Sequence, residues 1–72
     1  METKRERFVR LAENRTNKLI NMMRLLGNLA NRNNYEYSDE DVKKIFNTLE
    51  KELKAAKDKF NAVEEENRKF RL

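Results

Sequence analysis

A chain of 72 residues is one small domain, and this one is 42% charged, has a net charge of +4, and contains no cysteine, histidine or proline. Disulfides are excluded, the usual zinc ligands are missing, and a chain this short buries too little surface to stand comfortably alone. Oligomerisation is the remaining route to stability.

Composition alone fits either a long solvated helix or a disordered chain. The first segment decides for helix. Apolar residues recur at Phe8, Ala12, Leu19, Met22, Leu26 and Leu29 by alternating fours and threes, with Arg15 in one slot. This spacing predicts helix 1 over about residues 3–31. Gly27 costs roughly 1 kcal/mol against alanine there. It marks either an early end of the helix or the close approach of another backbone.

A polar turn follows over about residues 32–38. Asn33 and Asn34 suit a left-handed helix end. Tyr35 and Tyr37 either fold back over the helix ends or offer rings for base stacking. Ser38 is a good N-cap, and Asp41 three residues later completes a short capping box.

Helix 2 is predicted over about residues 39–70. Val42, Phe46, Leu49, Leu53, Ala56, Phe60, Val63 and Phe70 keep the same alternation, with Asn67 in one slot. Asp39, Glu40 and Asp41 place negative charge on the first turn, where the helix dipole favours it. The pairs Asp39–Lys43, Glu40–Lys44, Glu50–Lys54, Glu64–Arg68 and Glu65–Lys69 each add a few tenths of a kcal/mol.

The expected fold class is therefore all-α: an antiparallel, coiled-coil-like two-helix hairpin in a single domain. Facing residues have numbers summing to about 71, so Met22 meets Leu49 and Ala12 meets Phe60. Arg15 meets Ala56, along which it can snorkel to water. Helix 1 is apolar over roughly a third of its circumference, more than one neighbour covers. Two helices also make only one layer. A homodimer forming a four-helix bundle resolves both, with Leu11, Ile20, Met23, Gly27 and Ala30 at the interface. A protein partner on the same flank is the alternative occupant.

Turned away from that flank, Arg7, Arg10, Asn14, Asn17, Asn21, Arg24, Asn28 and Arg32 fall within about a third of a turn. Residues 1–32 hold eight Lys/Arg against three acids, and residues 33–72 nine against ten. Arginine contacts phosphate and asparagine pairs with adenine edges, so the stripe is chemically suited to nucleic acid. A solvated helix face meets the same pattern. Five asparagines oppose helix formation, however, where Glu and Lys would serve solubility better.

Nothing points to an enzyme. No base titrates near neutral pH, and there is no thiol, no phosphate-cradling glycine loop and no small-molecule pocket within reach of two helices. No cofactor or metal is expected, since the acidic runs 39–41 and 64–66 lack a calcium-loop glycine. The stretch Leu19–Ala30 is interrupted by Asn21, Arg24 and Asn28, and the basic start lacks a following apolar run. Neither a membrane span nor a targeting signal is read, and a cytoplasmic location is expected.

The run from Arg24 to Val42 carries R-L-L-G-N-L, N-Y-E-Y and E-D-V. It resembles a group of short bacterial proteins, some associated with plasmids and mobile elements, with a likeness extending from about Phe8 to Phe60. The group implies a second charged helix and no particular activity. In architecture alone, the expected dimer is similar to the Rop family of RNA-binding plasmid regulators, four-helix bundles built from hairpins. The functional expectation is a non-enzymatic bacterial accessory or regulatory scaffold for protein–protein interaction. The alternative is a nucleic-acid regulator using the Arg/Asn face, against which a net charge of +4 is modest.

Overall fold

The computed structural model describes residues 1–68, with side chains described through residue 64. It is all-α: helix α1 spans Lys4–Asn28, helix α2 spans Asp39–Arg68, and there is no strand among the described residues. The chain divides into two compact units, one from Met1 to Glu36 carrying α1 and one from Tyr37 onward carrying α2.

The first unit opens on a cap at Thr3, outside the reach of the apolar alternation. Thr3 is extended (φ −74°, ψ 166°), and its Oγ1 accepts the Glu6 backbone N–H at 3.0 Å. The same hydroxyl donates to Glu6 Oε1 at 3.1 Å, so Thr3-x-x-Glu6 is a variant of the capping box. Glu6 also sets a negative charge on the first turn, where the dipole favours it.

The other end of α1 takes the early-end alternative raised at Gly27 and departs from expectation in its geometry. The helix stops at Asn28 rather than near residue 31, one residue beyond Gly27. Glycine followed by asparagine is a weak pair for continuing a helix. Leu29 caps it in right-handed geometry (φ −72°, ψ −5°), and the N–H groups of Leu29 and Ala30 bond to Leu26 O and Gly27 O at 3.1 Å each. The end is thus tightened into 3₁₀-type bonds. The left-handed end expected at Asn33 or Asn34 does not occur, since no described residue has positive φ. Asn31 explains why none is needed. Its carbonyl accepts the N–H groups of Asn34 (3.2 Å) and Tyr35 (3.0 Å), and its Oδ1 accepts that of Asn33 (3.0 Å). This Asx-type turn organises the segment without a left-handed residue.

In the second unit, α2 starts where the capping signal places it. Ser38 N–H donates to Asp41 Oδ2 at 2.9 Å, and Asp41 N–H donates to Ser38 Oγ at 3.1 Å. The shorter aspartate closes the reciprocal box after all. Further along, Thr48 Oγ1 donates to Lys44 O at 2.7 Å, and Lys54 Nζ lies 2.9 Å from Asp58 Oδ2. Lys54 therefore pairs forward with Asp58 instead of back with Glu50. The expected pairs of Glu64 with Arg68 and Glu65 with Lys69, and the seam positions Asn67 and Phe70, involve side chains outside the described residues.

None of the described residues is buried. A single helix has no second layer against which to bury a stripe, so each unit stands with its apolar side uncovered.

The capping box makes two testable statements. Ser38→Ala removes the acceptor for the Asp41 N–H and should cost about 1 kcal/mol of helix stability, read from thermal melts followed by circular dichroism. The Ser38 backbone N–H, and secondarily its hydroxyl, hold the Asp41 carboxyl below the usual aspartate range. A depressed folded-state pKa gives stability that is complete above the ordinary aspartate value and is lost as pH falls through the lowered one. An acid titration of the melting temperature should show this loss, and Asp41→Asn should diminish it.

Candidate functional site

Helix α1 sorts its side chains into two faces. On the polar side, Arg7, Arg10, Asn14, Asn17, Asn21, Arg24 and Asn28 all lie within the helix and are all exposed. Their spacing keeps them on one stripe at 100° per residue. Arg32 does not share that register, because α1 ends four residues before it.

The basic character of the stripe is uneven. Glu2, just ahead of the helix, grips the Arg10 guanidinium with two bonds, from Nε to Oε2 at 2.8 Å and from Nη2 to Oε1 at 3.0 Å. Arg7 Nε lies 3.9 Å from Glu2 Oε1. The bond from Arg10 holds the Glu2 carboxyl below its ordinary pKa. Arg5 stands over the Phe8 ring, 5.9 Å from its centroid, a surface cation–π contact.

On the apolar side, Leu11 is half-buried, while Ile20 is 42% and Met23 49% exposed. Leu19 and Met22 are more open still, at 65% and 63%. A β-carbon added to Gly27 would meet nothing within 4 Å, so the helix presents open space there. Ala30, expected on the same flank, lies beyond α1 in the tightened turn. Leu25 is an apolar residue the periodicity missed. It is exposed, and 100° counting puts it at the edge of the Arg/Asn stripe.

Helix α2 carries its own uncovered stripe, including Phe46, Leu53, Phe60 and Val63. Ala55 and Ala56 leave a shallow depression, bordered by Glu52, Lys59, Phe60 and Val63. Ile45 is exposed beside this stripe and was likewise absent from the three-four alternation. Of the two turn tyrosines, Tyr35 is exposed and donates its backbone N–H to Asn31 O, while Tyr37 is half-buried.

Among the described residues, no helix is long and apolar enough to cross a membrane. No protein-family model, no curated protein and no solved structure matches the chain.

Gly27 gives a direct reading of the apolar flank. With open space around it and no positive φ, Gly27→Ala should raise helix stability by up to about 1 kcal/mol, seen as a higher melting temperature. A lowered melting temperature would instead place the backbone of another helix against this position.

Proposed function

We propose that the chain is a non-enzymatic scaffold for protein–protein interaction, whose two helices close as an antiparallel hairpin and whose hairpins pair into a homodimeric four-helix bundle. The observation that carries this reading is the uncovered apolar stripe on each helix, with Leu19, Met22, Leu53 and Phe60 all more than half exposed. Monomeric proteins rarely leave contiguous apolar surface of this kind in water. Burying one such side chain contributes about 1.5–3 kcal/mol, and a 72-residue chain without disulfides has few other sources of stability.

Such a hairpin has a consistent register. Pairing residues whose numbers sum to about 71 sets Leu19 against Leu53 and Met22 against Leu49. Closing the hairpin covers one edge of each stripe. Ile20 and Met23 lie further round α1, where a second copy covers them. A protein partner would then dock on whatever apolar flank the bundle leaves open.

Sedimentation equilibrium at micromolar concentration should give a dimer. Ile20→Asp combined with Met23→Asp should weaken it by at least about a hundredfold, since each buried apolar side chain is worth more than 1.4 kcal/mol. A wild-type monomer would overturn the homodimer. Because the chain has no cysteine, Met22→Cys with Leu49→Cys tests the hairpin cleanly. Oxidation should give a disulfide within one chain. A bridge only between chains would mean that the hairpin opens on assembly.

A further inference from the structure

From Asn14 to Tyr35 the chain contains no acidic residue, although it has 13 acids in all. The acids of the first unit lie outside that interval, at Glu2, Glu6, Glu13 and Glu36. Glu2 occupies Arg10 and approaches Arg7, so the N-terminal end of the polar stripe is partly neutralised from within. The second half of α1 has no such brake. Lys18 and Arg24 are exposed and meet no carboxylate among the described residues.

The placement of these two cations is informative. At 100° per residue, Lys18 and Arg24 sit about 120° apart on the helix, and Asn14, Asn17, Asn21 and Asn28 fall between them. The exposed Leu25 falls in the same sector beside Lys18, so a row of amides with one apolar residue at its side is flanked by a cation on each edge. A helix lying in the major groove of duplex DNA presents this arrangement: polar side chains meet base edges in the middle, and edge cations reach phosphates on either side. Asparagine is the side chain that pairs bidentately with adenine. The groove is about 12 Å wide and admits a helix, whereas the A-form RNA groove is too narrow for side-chain reading.

We infer that the second half of α1, Asn14–Asn28, is a docking surface for the major groove of duplex DNA, with Lys18 and Arg24 on phosphate and the asparagines toward the bases. Glu2 attenuates binding at the N-terminal end by holding Arg10. The inference needs α1 to be helical and its polar face open, and it does not depend on which protein the scaffold engages.

The test is fluorescence anisotropy of a labelled AT-containing DNA duplex and of an RNA hairpin, at 50 and 150 mM salt. Circular dichroism and sedimentation of every variant show whether it still folds and assembles. The duplex should bind at 150 mM salt and the RNA hairpin should bind more weakly. Arg24→Ala should weaken duplex binding by about tenfold and reduce the slope of log affinity against log salt by about one. Asn21→Glu, a better helix former that puts a carboxylate among the amides, should abolish binding without loss of helix. Glu2→Gln should strengthen binding by about twofold, because a surface ion pair is weak. Lys51→Ala on α2 should change nothing. The inference is overturned by absence of duplex binding at 150 mM salt, by RNA bound as tightly as DNA, or by equal effects of Lys51→Ala and Arg24→Ala in variants that remain folded.

Discussion

An amphipathic helix has nothing along its own axis against which to bury its apolar stripe, and that constraint governs this chain. Burial needs a second layer, whether another helix of the same molecule or a neighbour. Each unit here is one helix with its cap and turn, and no described side chain in either is buried. Local interactions therefore define the helices, and no buried core adds to them among the described residues. That matters in a chain that is 42% charged and has no cysteine to form a disulfide.

Local order is supplied unequally. Helix α2 begins with a closed capping box at Ser38 and Asp41, carries three acids on its first turn, and holds an exposed Lys54–Asp58 pair. Helix α1 begins equally well, on Thr3 and Glu6, but its C-terminal half runs through Asn17, Asn21, Gly27 and Asn28, all poorer helix formers than Glu, Lys or Ala. Its last turn carries no basic residue to meet the negative end of the dipole. The half of α1 that is weakest by propensity is also the half without acids. That half therefore has less local support than α2, while Leu19, Met22 and Met23 on its apolar side are exposed.

What was legible in the sequence follows from how far each signal reaches. The three-four alternation identified both helices, because a period repeated over many turns is hard to imitate by chance. The Ser38 box was readable because a good N-cap followed at three residues by a carboxylate has one geometric meaning. The same signal stands at Thr3 and Glu6. The end of α1 was not legible from periodicity, because Leu29 falls on the apolar phase although it lies outside the helix. The competing signals were Gly27, which marked an early end as one alternative, and Asn31, whose carbonyl and side chain together take three backbone donors. The grip of Glu2 on Arg10 is beyond any helix-spacing rule, since Glu2 precedes the helix and the pair is eight residues apart. Leu25 is not signalled by the alternation because it sits off the apolar phase, beside the polar stripe.

The fate of Asn31 sharpens the argument about the other asparagines. Five were expected to burden helix 1, and one of them turns out to lie outside it and to build the turn. The remaining four, Asn14, Asn17, Asn21 and Asn28, have no comparable backbone task among the described hydrogen bonds. Each costs about 0.5 kcal/mol of helix propensity against alanine. Solubility does not require that expense, because α2 achieves an exposed polar face largely with Glu and Lys. An amide differs from those residues in donating and accepting at once without charge. On a solvated face that capacity is redundant with water. It becomes distinctive only where a surface of mixed donors and acceptors, such as a base edge, faces the helix, and the physical case for a ligand on this stripe rests there.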